Sequence, residues 1–191
     1  MADRPLASPE RSSSAWRHAP IDELVASIAA VDHPRLRAQL VRLGELLAVV
    51  ARDDGDAWPE TLVPLRSAYA CLRDAVTEHL DQADQEFFPA LRACDQGADT
   101  HARPAAADCR TVERVMRALA ARHSVLHAAL GRLREVTRGY APPENARPAF
   151  RELYYGLADL ERDLDARLRR ERDLLFPRAV ALGKGSPVAN V

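Results

Sequence analysis

Residues 150–175, FRELYYGLADLERDLDARLRRERDLL, decide the fold. Phe150, Leu153, Leu157, Leu160, Leu164, Arg167, Glu171 and Leu174 recur at alternating steps of three and four, the spacing that keeps side chains on one face of a helix packed into a bundle. The positions between them are largely Arg, Asp and Glu, which suit a solvated face. Two members of the stripe, Arg167 and Glu171, are charged, so the helix carries polar chemistry into the core at one level.

Three further stretches repeat the pattern. The first gives His33, Leu36, Leu40, Leu43, Leu47 and Val50, and the second gives Leu62, Leu65, Tyr69, Leu72, Val76, His79 and Ala83. The third gives Val112, Met116, Leu119, His123, Leu126, Leu130 and Leu133. Glycine is scarce (8 residues) and β-branched alternation is absent, which favours helix throughout. Helix breaks are expected in DDGDAWPE (53–60), ACDQGADTHARPAAAD (93–108) and GYAPPENARP (139–148). Pro34 predicts a bend or a fresh start, with a short lead-in helix over Ile21–Val31 and Asp32 or His33 at the cap of the long helix. The predicted architecture is all-α, an up-down four-helix bundle over residues 20–180 with that lead-in helix, between disordered tails at 1–19 and 181–191.

The 191 residues include 27 Lys+Arg against 28 Asp+Glu, a formal net charge of −1, which excludes nucleic-acid binding driven by bulk charge. No apolar run reaches the length of a signal peptide or a membrane span, so a cytoplasmic protein with no membrane partner is expected. Cys71, Cys94 and Cys109 form no CxxC pair, which leaves neither a disulfide framework nor a thiolate zinc site. A monomer or a homodimer both suit such a bundle.

With neighbouring helices antiparallel, His33, His79, His123, Arg167 and Glu171 fall within about a turn of one level, counting 1.5 Å per residue. Three histidines on a two-in-seven seam have odds of about 2% by chance. Neutral imidazoles and a carboxylate converging inside a bundle are a ligand set for a first-row divalent metal. A lone core histidine is more often simply a satisfied polar residue, and the concentration at one level is what favours the metal. His127 lies one turn beyond His123, beside the seam, and is a possible additional ligand; His18 and His101 read as solvated. Arg167 needs an anionic partner in a core. Glu171 at i+4 is one candidate, in which case the guanidinium replaces the metal cation; Asp84, Glu86 or a bound anion are the others. Histidines across a core could also hold a haem or another small ligand.

The segments HPRLRAQL (33–40), EHLDQADQEFFPAL (78–91), RHSVLHAAL (122–130), REVTRGYAPPENARPAFRELYYGLADLERDL (134–164) and RRERDLLFPRAV (169–180) resemble successive blocks of hemerythrin-like (HHE cation-binding) proteins, within them the repair of iron centres group. The resemblance covers most of residues 20–182. It implies an up-down four-helix bundle carrying two irons, with roles in nitrosative or oxidative stress, iron delivery to damaged iron–sulfur proteins and binding of O2 or NO. Carried over, the family's metal ligands fall on His33, His79, His123 and Glu171. The bridging glutamate expected four residues after His79 is Ala83, and the histidine expected four before Glu171 is Arg167. No paired-cysteine segment like that of longer members stands in these residues, so a function that uses such a segment is not expected.

Exchanging a carboxylate and an imidazole for a fixed positive charge disfavours a second divalent ion. The expectation is therefore one iron per chain, with zinc or manganese as alternatives, in a two-His-one-carboxylate site of His33, His79 and Glu171 with His123 as a fourth ligand. Arg167 would face the open positions and favour a small diatomic or anionic ligand such as O2, NO or peroxide. The competing expectation is a metal-free bundle, without cofactor, in which the Arg167–Glu171 pair fills the site and the protein serves as a binding or regulatory module.

Overall fold

A computed structural model describes residues 19–99 and 106–183, and among these every regular element is helical. In chain order they are α1 Ile21–Ser27, a π-helical turn π1 Ile28–Asp32, α2 His33–Asp54, α3 Pro59–Gln82, π2 Ala83–Phe87, α4 Phe88–Asp99, α5 Ala106–Val136, α6 Pro148–Arg170, π3 Glu171–Leu175 and α7 Phe176–Gly183. The result is the expected four-helix architecture: α2 packs on α3 and α6, and α3 packs on α5, while α4, α5 and α7 meet at the far end. All predicted stripe residues are buried except Met116, which is half-buried.

Two expectations need correction. The chain does not break at Pro34: α1, π1 and α2 run on without interruption, and Asp32 is helical (φ −70°, ψ −46°) with no capping hydrogen bond. The break expected at 93–108 is also shorter, because α4 continues to Asp99 and α5 already begins at Ala106. Leu91 and Cys94 carry the buried face onward, and a lone glycine such as Gly97 costs a helix only about 1 kcal/mol. The segments 1–18 and 184–191 of the expected tails, with His18 and His101, lie outside the described residues; 181–183 belong to α7.

The π-turns have a common cause in the sequence. Each is followed by one residue and then a proline: His33–Pro34, Phe88–Pro89 and Phe176–Pro177. A proline inside an α-helix has no N–H to donate, and its ring collides with the carbonyl four residues back. Widening the turn relieves the collision, and the residue before each proline then donates five residues back, from His33 N–H to the Ile28 carbonyl, Phe88 to Ala83 and Phe176 to Glu171. Helices that proline would otherwise end thus continue past the level of the polar residues.

The core is divided at that level. One apolar cluster runs from Leu36, Leu80, Leu126 and Leu168 through Leu43, Leu72 and Phe150, and a second gathers Ile28, Phe87, Leu119, Leu175 and Phe176. His33, His79, His123, Arg167 and Glu171 occupy the layer between them. Below it, α6 approaches α2 closely at Gly156, where an added Cβ would stand 2.6 Å from Leu43 Cδ2. Gly156→Val should therefore destabilise the bundle by about 1–3 kcal/mol through overpacking. Gly131→Ala on the exposed face of α5, where nothing lies within 4 Å, should stabilise it by about 0.5–1 kcal/mol. Urea titration of the two variants checks both signs.

Candidate metal centre

The five polar side chains reach the layer from four helices. His33 stands at the first residue of α2, His79 near the end of α3, His123 midway along α5, and Arg167 and Glu171 on either side of the α6–π3 junction. His79 Nε2–H and His123 Nε2–H both donate to Oε2 of Glu171, each at 3.0 Å. The two imidazole centroids are 5.3 Å apart. One ligand atom from each of His79, His123 and Glu171 can be chosen with all three within 4.8 Å of one another, and all three residues are buried.

His33 belongs to the same layer but not to this triad. Its Nδ1 hydrogen-bonds Oδ1 of Asp84 at 2.6 Å, and Arg37 Nη2 holds that aspartate through Oδ2 at 3.1 Å and Asp81 at 2.9 Å. The ring stacks on Phe88, and its Nε2 is buried with no hydrogen-bond partner. A carboxylate on one ring nitrogen with the other left bare is the arrangement that orients a metal-ligating histidine. Asp84 sits in π2, so the turn that Pro89 imposes also carries the carboxylate that orients His33.

Arg167 is buried, with Nε 3.5 Å from Oε1 of Glu171. That separation makes an ion pair and no hydrogen bond, and both Nε and Nη2 of Arg167 lack a hydrogen-bond partner. Burial lowers the guanidinium's pKa, while Glu171, Asp32 and Asp84 raise it in part. Burial alone would push the Glu171 carboxyl up; the hydrogen bonds from His123 and His79 and the charge of Arg167 override it and hold it well below the usual carboxylate range. Burial and the Arg167 charge press His33 down to about 4, against the opposing pull of Asp84.

Of the residues singled out in the sequence, His79, His123 and Glu171 converge, Arg167 touches the carboxylate from the other side, and His33 stands beside them on its own aspartate. His127 turns away: its Nδ1–H donates to the His123 carbonyl at 2.6 Å, and Nε2 lies 3.9 Å from Asp165 on a half-exposed flank. Three contributors escaped the sequence reading. The sequence offers Asp84 only as a partner for Arg167, and the stripes do not mark Phe88 and Phe176, which stack on His33 and His123. Their signal was present in the FP pairs at 88–89 and 176–177, each placing an aromatic ring over a layer histidine just after a π-turn.

An all-helical bundle with imidazoles and a carboxylate gathered between two apolar clusters defines the class of bundle metal-binding proteins, whose sites are built from inward side chains of facing helices. The chain belongs to the hemerythrin family: the Hemerythrin HHE cation binding domain matches residues 25–179. It is 27% identical over 175 residues to the iron-sulfur cluster repair protein YtfE of Yersinia pseudotuberculosis serotype O:1b (strain IP 31758), covering 92% of this chain and 73% of that protein. It is 26% identical, with the same coverage, to the iron-sulfur cluster repair protein YtfE of Yersinia pestis (strain Pestoides F). Among the described residues no helix is long and apolar enough to cross a membrane.

The pKa shifts set the acid sensitivity of the metal-free protein. His33 titrates near 4 in the fold and near 6.5 when unfolded, so the unfolded chain binds the extra proton in that interval and stability falls as pH drops from 6.5 to 4. Glu171, with its pKa depressed, contributes stability that is full above the unfolded value of 4.5 and is lost as pH falls below it. The melting temperature should decline in both windows, and His33→Gln should flatten the upper one alone. Calorimetry between pH 3 and about 8 reads this directly.

Proposed function

We propose that this hemerythrin-like chain binds one divalent transition ion, iron first, through His79, His123 and Glu171 with His33 as a fourth donor, and that it works in stress defence or iron handling by acting on or sensing O2, NO or peroxide. The observation that carries the reading is the buried convergence of two Nε2 atoms on one carboxylate oxygen, beside a histidine whose Nε2 is buried and bare. Nitrogen and oxygen donors in this mixture suit a first-row ion. The name of the Yersinia relatives, iron-sulfur cluster repair protein, supports an iron-centre role.

The same residues do not fit two ions. Ala83, buried at the level of the layer, offers a methyl group and no donor. Arg167 already contributes a fixed charge, and repulsion between unit charges at 4 Å costs about 4 kcal/mol at an effective dielectric near 20, doubled for a divalent ion. A bound iron would supply redox chemistry and affinity for diatomic ligands. The chain's own residues supply the rest: Asp84 fixes the orientation of His33, Phe88 and Phe176 cover the rings of His33 and His123, and the two apolar clusters screen the layer from solvent.

A second reading rests on the ion pair of Arg167 with Glu171. With both histidines donating to Oε2 and the guanidinium beside Oε1, the carboxylate is compensated without a metal, and the bundle would serve as a binding or regulatory module. Iron content after anaerobic loading separates the two. About one ion per chain in the wild type, rising toward two in Arg167→His, is the expected result; no bound metal in either protein, with the fold intact, would leave the module reading standing.

A further inference from the structure

Arg167 does more than face Glu171. It also lines a cleft of about 210 Å³ between α2 and α6, bordered by Asp32, Arg35, Gln39, Asp163 and Arg170. Arg35, Asp163 and Arg170 are exposed on the rim, and Arg170 is tied to Asp32 at 2.8 Å across the helices. The cleft thus leads from a rim of two arginines and two aspartates, one pair of them tied together, to a third arginine that is buried. The guanidinium's Nε and Nη2 are the two donors of its side-on fork, and both are buried without a hydrogen-bond partner.

A buried cation left with a single loose ion pair is costly, and the cost is recovered when an anion accepts from it. In the metal-free chain Glu171 supplies part of that compensation from 3.5 Å. Once the carboxylate is committed to a metal, its charge is shared with the ion and Arg167 needs another acceptor. A guanidinium fork matches two oxygens held in one plane, as in a carboxylate or a planar oxyanion, far better than a spherical ion. The cleft's 210 Å³ is below the roughly 300 Å³ at which sites for drug-sized ligands begin, which suits a small ligand.

We propose that the α2–α6 cleft admits a small planar two-oxygen anion, of the size of formate or nitrite, which the Arg167 fork binds beside the metal centre, with Arg35 on the rim drawing it in. This rests on the single-ion reading above, because the metal frees Arg167 from Glu171. By linkage, metal and anion each tighten the binding of the other.

The test uses the full chain loaded with Co(II), a paramagnetic ion, and with diamagnetic Zn(II), and follows the NMR line width of 13C-formate, with nitrite and chloride as competitors. Saturable broadening in the Co(II) protein and not in the Zn(II) protein is expected, displaced by nitrite but not by equal chloride. Arg167→Gln should weaken binding by about tenfold or more, which corresponds to the loss of a charge-assisted pair, and Arg167→Lys should recover only part of it. Arg35→Gln, on the exposed rim, should weaken binding severalfold and decides the matter if the Arg167 variants do not fold; Arg162→Gln, outside the cleft, should change nothing. One Co(II) per chain with no broadening, or broadening unchanged by Arg167→Gln and Arg35→Gln, would overturn the anion site and leave the metal reading intact. Failure to bind Co(II) at all would overturn both.

Discussion

Two imidazole N–H groups share one carboxylate oxygen in a buried layer, and the packing of the bundle has to serve that junction. None of the three groups can be buried alone: a lone carboxylate or an unpaired imidazole donor in an apolar core costs several kcal/mol. Their pairing therefore constrains the relative height of α3, α5 and α6, and the leucine clusters above and below can only pack in a register that keeps His79, His123 and Glu171 together. Arg167 tightens the constraint, since its nearest carboxylate oxygen is the other one on the same residue.

The π-turns are the second device that the layer relies on. An α-helix that meets a proline usually stops or kinks. Here α3 and α6 continue past Pro89 and Pro177, each by one widened turn at or just above the polar level. The widening carries Asp84 to His33 and sets Phe88 and Phe176 against the imidazoles. Such turns recur at functional sites in helical proteins. In this chain the reason is local and chemical, because the residue before each proline, one of them His33 itself, touches or belongs to the layer.

Much of this was legible in the residues. The three-four stripes gave the helices and their buried faces, and counting along antiparallel helices put His33, His79, His123, Arg167 and Glu171 at one height. What the periodicity could not give was which members meet. A stripe tells that a side chain points inward, not which neighbour it finds: it groups His33 with His79 and Glu171, whereas His123 holds that place and His33 pairs with Asp84. Pro34 predicts a bend or a fresh start because proline costs the helix an i to i−4 hydrogen bond; the i to i−5 bond from His33 to Ile28 that carries the helix on has no signal in the stripe. His127, one turn from His123, faces outward because four residues in an α-helix advance the direction by about 40°, enough at the edge of a seam to leave it.

The chemistry follows from charge. Where the family resemblance implies a ligand histidine and a bridging carboxylate, this chain has Arg167 and Ala83, so the layer already contains a cation of its own. Whether Glu171 serves a metal or serves Arg167 is the central question, and anomalous diffraction at the iron edge from crystals loaded with Fe(II) answers it most directly. The expected result is one peak per chain among the side chains of His79, His123 and Glu171, with Arg167 drawn away from the carboxylate. No peak at the layer, or two peaks within it, would contradict a single-ion centre.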